Sequence, residues 1–75
     1  MISSPPKITL KAARTNAGLT LDQASKLIGV SIATLHKWES DSSSVKVSDV
    51  QKIEKAYRYP TEYIFFGDIL EFNSM

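Results

Sequence analysis

Residues 18–39 constrain this chain more than any other stretch. Gly18-Leu19-Thr20 leads into Leu21-Asp22-Gln23, and Ile28-Gly29-Val30-Ser31 separates that segment from Ile32 through Trp38-Glu39. Thr20 with Gln23 three residues on is a capping box, so a helix starts at Leu21. Asp22 places a negative charge in its first turn, where the helix dipole favours one. Gly29 tolerates a left-handed backbone and ends that helix near Ile28. Ser31 is a cap for a second one, from Ile32 to about Glu39. The inward residues of the two helices are Ala24 with Leu27 or Ile28, and then Leu35 and Trp38. Ile32, Ala33, His36 and Lys37 face away.

The flanks extend the pattern. Ser3-Ser4-Pro5-Pro6 resists helix formation and makes 1–7 a short leader. Thr9 caps a helix over Leu10 to Asn16 or Ala17, with Leu10, Ala13 and Ala17 on one face and Gly18 at its end. Ser40-Asp41-Ser42-Ser43-Ser44 is a polar loop. Val47-Ser48-Asp49 opens a further helix to about Tyr57, with Val50, Ile53 and Tyr57 on its stripe. Pro60 suits the start of a fifth helix through Phe66. The expectation is an all-α domain of five short helices over 8–66 with no sheet. A tail over 67–75 follows, in which Ile69-Leu70-Glu71-Phe72 reads equally as a strand, a docking arm or a frayed end.

Seventy-five residues allow one small core. Without cysteine there are no disulfides and no thiolate metal site, and a single histidine gives no His pair. There is no glycine-rich phosphate loop and no carboxylate pair with a reason to be buried together, so no catalytic residue, metal or cofactor is expected. No apolar run is long enough for a membrane span and the start lacks a signal-peptide core, so a cytoplasmic location is expected. The formal net charge is +1. It is unevenly spread: residues 7–46 carry six basic and three acidic side chains, residues 47–75 three basic and five acidic. The positive half contains the two-helix motif.

Leu10-Lys11-Ala12-Ala13-Arg14, Ala17-Gly18-Leu19-Thr20, Gly29-Val30-Ser31, Thr34-Leu35 and Trp38-Glu39 together resemble the phage repressor/Cro (XRE) family of helix-turn-helix regulators. Val50 to Tyr57 and Thr61 to Phe65 look like its last two helices, so the likeness runs without a gap from about residue 8 to 66. The branch it is most similar to is the small prophage-type, single-domain regulators. The resemblance implies a compact lambda-repressor-like domain whose helix from Ile32 enters the major groove of an operator. On that reading Ile32, Ala33, His36 and Lys37 meet base edges. The chemistry agrees: Lys37 can donate to guanine O6 and N7, and Ile32 and Ala33 offer apolar contact to thymine methyls. Phosphate contacts fall to the backbone near Leu21, to Ser31, Thr34 and Ser40, and to Lys46 beyond the serine loop. Arg14 and Glu39 match positions the family uses for a structural ion pair.

Two positions depart from the family pattern. Leu21 stands where the family usually has a phosphate-holding Gln, and Ile32 and Ala33 stand where long polar side chains are usual. Trp38 is read as core rather than a stacking platform, from its spacing to Leu35. Tyr63, Phe66, Ile69, Leu70 and Phe72 exceed what one short helix can bury and are read as a homodimer contact. The expected function is a DNA-binding transcriptional repressor of the Cro type, working as a homodimer on a palindromic operator in a phage or prophage switch. The alternative is a protein-interaction module on the same fold, an antirepressor or an antitoxin with a protein partner.

Overall fold

Three side-chain caps set where the helices begin. In the computed structural model, which describes residues 7–67, Thr9 Oγ1 accepts the Ala12 N–H at 3.1 Å and opens α1, Leu10–Asn16. Thr20 and Gln23 form the full capping box: the Gln23 N–H donates to Thr20 Oγ1 at 3.1 Å, and the Thr20 N–H to Gln23 Oε1 at 3.0 Å. This starts α2, Leu21–Ile28. Ser31 Oγ accepts the Thr34 N–H at 3.1 Å and opens α3, Ile32–Ser40. Each cap satisfies N–H groups that a first helical turn leaves without partners. The helix ends are equally local. Gly29 sits at φ +91°, and its N–H and that of Val30 both donate to the Ser25 carbonyl. The fourth helix, α4, covers Val47–Tyr57, and Arg58 closes it at φ 53°, a left-handed conformation uncommon outside glycine.

Leu10 and Ala13 of α1, Ala24 and Ile28 of α2, Leu35 and Trp38 of α3, and Ile53 and Tyr57 of α4 close one core together with Ile64. Leu35 and Ile53 are its largest fully buried side chains. The choice left open on α2 falls to Ile28. Leu27 is 61% exposed.

The fifth helix expected from Pro60 to Phe66 does not form. Pro60 leads instead into a single 3-10 turn, Thr61–Tyr63, and the chain then becomes extended at Ile64–Phe65. This segment, β2, pairs in parallel with β1, Ile8–Thr9, with Ile8 opposite Ile64 and Thr9 opposite Phe65. The physical reason is non-local. Running on as a helix, residues 64–65 would forgo the ladder with β1. The extended form makes those bonds and seats the Ile64 side chain in the core at 2% exposure. Among the described residues the domain is therefore four α-helices with a two-stranded parallel clasp.

Ser42 holds the other side of this clasp. It is buried, donates its N–H to the Gly67 carbonyl at 3.0 Å, and accepts the Gly67 N–H on Oγ at 2.9 Å. The serine loop after α3 is thus tied to the end of the described chain. No helix among the described residues is long and apolar enough to cross a membrane.

Candidate nucleic-acid interface

The outer face of α3 follows directly from its inner one. Leu35 and Trp38 are buried, so the helical period turns Ile32, Ala33, His36 and Lys37 outward. All four are exposed, Ile32 to 45%. They form one continuous strip, bounded at its start by the exposed cap Ser31 and at its end by the exposed Ser40. Thr34 lies half-buried at its edge, and its hydroxyl accepts a hydrogen bond from Ser31 Oγ at 2.9 Å.

What fixes α3 against the rest of the domain is a buried charge pair. Arg14 Nε donates to Glu39 Oε2 at 2.6 Å and Nη2 donates to Oε1 at 3.2 Å, a two-pronged contact. The third prong, Nη1, donates to the Leu19 carbonyl at 2.9 Å. One guanidinium thus joins α1, the link into α2, and the end of α3. The side chains are only 9% and 7% exposed. The hydrogen bond to Glu39 pushes the Arg14 pKa further up against the opposing effect of burial, so the guanidinium keeps its charge and the contact is a charge-assisted one.

Beside it lies Tyr57, whose hydroxyl is buried and, among the described residues, has no hydrogen-bond partner. Burial, and then the nearby Glu39 charge, raise its pKa to about 12, with Arg14 working in the opposite direction. At the far end of α3, the Asp41 carboxylate accepts from the Ser43 hydroxyl at 2.7 Å and from the Ser43 N–H at 3.0 Å. Those bonds lower its pKa and shape the turn into α4.

A helix-turn-helix family model matches residues 10–64, most of the chain. The chain belongs to the XRE-type helix-turn-helix family. It is a DNA-binding helix-turn-helix regulator, and the domain is a regulatory one rather than a catalytic one. No curated protein matches the chain.

In this helix-turn-helix domain α2 and α3 are the two helices of the motif, Gly29 is its turn, and the exposed strip lies on the second helix. The structure brings Ile32, Ala33, His36 and Lys37 onto one surface, with Ser31 and Ser40 at its two ends. Leu21 is half-buried and packs in part against the core; its side chain offers a partner apolar surface and no hydrogen-bond donor, which leaves the donors to its main chain. Lys46 is exposed at the start of α4, where no side chain caps the helix. Of the residues expected at a dimer contact, Tyr63 and Phe66 are half-buried, with Phe66 packed on the core. Ile69, Leu70 and Phe72 lie outside the described residues.

Two features had no sequence signal. One is the role of Ser42, indistinguishable from its exposed neighbours in a serine run. The other is a hollow of about 320 Å³ between α1, α2 and α3, lined by Lys11, Arg14, Leu21, His36, Glu39 and Ser40. Lys11 belongs to it only because α1 packs across the end of α3.

Proposed function

We propose that this regulator is a sequence-specific operator-binding repressor of the Cro type, reading the major groove with α3 as a homodimer in a phage or prophage switch. The observation that carries the reading is the strip itself: four adjoining exposed residues on the second helix of the motif, anchored from behind by Leu35, Trp38 and the Arg14–Glu39 pair. A groove about 12 Å wide takes one helix, and each base pair displays a distinct pattern of donors, acceptors and methyls there. Lys37 donates to guanine, His36 to a base acceptor or a phosphate, and Ile32 and Ala33 pack on thymine methyls. Main-chain N–H groups at Leu21, the hydroxyls of Ser31, Thr34 and Ser40, and the Lys46 ammonium serve the phosphates, which set position without reading sequence. Two half-sites read together give a dimer affinity that one short helix lacks.

Selection from random DNA tests this. The wild-type chain should recover a preferred, two-fold symmetric site, bound less tightly as salt rises. Lys37→Ala should lose that preference with its thermal melt unchanged, because Lys37 is exposed. An unaltered preference in the variant removes α3 as the reader.

The apolar character of the strip favours one second reading. Ile32 at 45% exposure and Leu27 at 61% are large hydrophobic side chains on the motif's own helices. They suit a protein partner of an antirepressor or antitoxin, and wild-type binding no better than to competitor DNA would select this reading.

A further inference from the structure

Ser42 stands between the two parts of the molecule that a dimer on DNA must hold in register. On one side it follows the last residue of α3, Ser40, after Asp41 alone, and the link is stiff. The Asp41 N–H donates to the Lys37 carbonyl at 2.9 Å and the Val45 N–H to the Ser42 carbonyl at 3.1 Å. The Asp41 carboxylate holds the Ser43 N–H and hydroxyl. On the other side Ser42 grips Gly67, the residue after Phe66. Its N–H donates to the Gly67 carbonyl at 3.0 Å, and the Gly67 N–H donates to Ser42 Oγ at 2.9 Å. The hydroxyl proton is shared between the Phe65 and Gly67 carbonyls, each 3.4 Å from Oγ. Every polar atom of Ser42 is thereby occupied, at a residue only 3% exposed.

The rest of this C-terminal segment is fastened elsewhere. Ile64 fills the core, and the ladder joins Ile64 and Phe65 to β1 at the start of α1. The ladder stops at Phe65 and leaves Phe66 and Gly67 beyond it. The Ser42 bonds tie that end directly to the exit of α3. Operator half-sites lie about 34–36 Å apart, one turn of about 10–10.5 base pairs. Each base pair added therefore moves a half-site by about 3.4 Å and turns it by about 35°. A dimer follows such a change only if α3 can shift relative to the contact between the copies. We propose that Ser42 is a latch that fixes the direction of α3 relative to the dimer contact at Tyr63 and Phe66, and so makes the regulator strict about half-site spacing. This rests on the reading of the chain as a homodimer with α3 in the groove. Ser42 is then a positioning residue: buried itself, it acts on DNA only through α3.

The test uses the two-fold site that wild type selects from random DNA, and copies of it with one base pair added or removed between the half-sites. Wild type, Ser42→Ala and Ser42→Thr are compared on all three. Gly67→Pro joins them, since it deletes the bond to Ser42 Oγ from the donor's end. On a mis-spaced site wild type should lose the gain from holding two half-sites together, about a hundredfold. Ser42→Ala and Gly67→Pro should shrink that loss about fivefold, the weight of one net hydrogen bond. Ser42→Thr keeps the hydroxyl and should keep the wild-type strictness. Base preference within a half-site should be unchanged in all of them, as should dimer formation in analytical ultracentrifugation. A serine that merely stabilised the fold would lower the thermal melt and weaken every site alike, leaving the ratio between sites where it was.

A spacing ratio for Ser42→Ala equal to that of wild type overturns the proposal. So does a monomeric Ser42→Ala, which would make Ser42 a builder of the contact rather than its orienter. An altered base preference within a half-site overturns it by showing that the latch shapes α3 itself. If Ser42→Ala does not fold, the Gly67→Pro ratio decides alone. Wild type without a preferred two-fold site removes the homodimer operator reading, and the latch with it. The other outcomes leave that reading standing.

Discussion

Replacing Tyr57 by phenylalanine removes one oxygen from the core and should change stability in a way that depends on pH. The hydroxyl is buried without a hydrogen-bond partner among the described residues, and its pKa is raised from 10.0 to about 12. In the unfolded chain the phenol ionises from about pH 10; in the folded one it resists until about 12. A folded pKa above the unfolded value means that the domain's stability is complete below pH 10 and is lost as pH rises toward 12. Two pKa units at about 1.4 kcal/mol each give a total near 2.7 kcal/mol, of which about half is gone by pH 11. The Tyr57→Phe variant has no phenol to ionise and loses none of it.

The measurement is urea unfolding of wild type and Tyr57→Phe at intervals from pH 7 to 11.5. At pH 7 the variant should be equal to wild type or more stable by about 1 kcal/mol, because an unpartnered buried polar group costs rather than contributes. The gap should then widen in favour of the variant by about 1.4 kcal/mol at pH 11. Other groups titrate in this range, but they are common to both chains and cancel in the difference. A gap that stays flat from pH 8 to 11.5 refutes the argument, because it means that the hydroxyl meets water or a partner in the folded state. A variant much less stable at pH 7 refutes it as well.

Two further substitutions follow from the same structure. Glu39→Ala leaves the buried Arg14 guanidinium without its acid and should cost about 3–5 kcal/mol, whereas Asp22→Ala, which breaks the exposed pair with Lys26, should cost about 1 kcal/mol or less; urea midpoints at pH 7 compare them, and similar losses would mean that the Arg14 pair is effectively solvated. Gly29→Ala meets no atom within 4 Å of the added methyl, so its cost is the left-handed backbone alone, about 1–2 kcal/mol by thermal melt, and a neutral result would show the turn relaxing to another conformation.

The elements that read correctly from the sequence are those whose cause lies within four residues. Thr9, Thr20 with Gln23, and Ser31 cap because their own side chains reach their own first turns. Gly29 ends α2 because the backbone there turns left-handed. Leu27 and Ile28 are inseparable by periodicity, since adjacent residues differ by only about 100° around a helix; packing against α4 and α3 decides for Ile28. Pro60 signals a helix but begins only one 3-10 turn, since Ile64 is claimed by Ile8 at the other end of the domain. The exposed strip on α3 was legible because it is the complement of Leu35 and Trp38. The hollow was not, because Lys11 and Ser40 meet there only through packing, nor was the Tyr57 hydroxyl, whose stripe position says nothing about what its far end touches.

The clasp between Ile8–Thr9 and Ile64–Phe65 has a bearing on how the chain reaches this structure. Closing roughly 56 residues of flexible chain costs about 3.6 kcal/mol in loop entropy, more than two residues of ladder return. The pairing is therefore unfavourable until the helices have folded and shortened the span between its ends. Contacts within α1–α3 are near in sequence and suit rapid formation. The clasp then belongs to the last stage of folding and to the first stage of opening. Native-state hydrogen exchange should find the Ile8–Ile64 ladder released by small fluctuations that leave the capped helices intact, so that the two strands part while the exposed strip of α3 stays built.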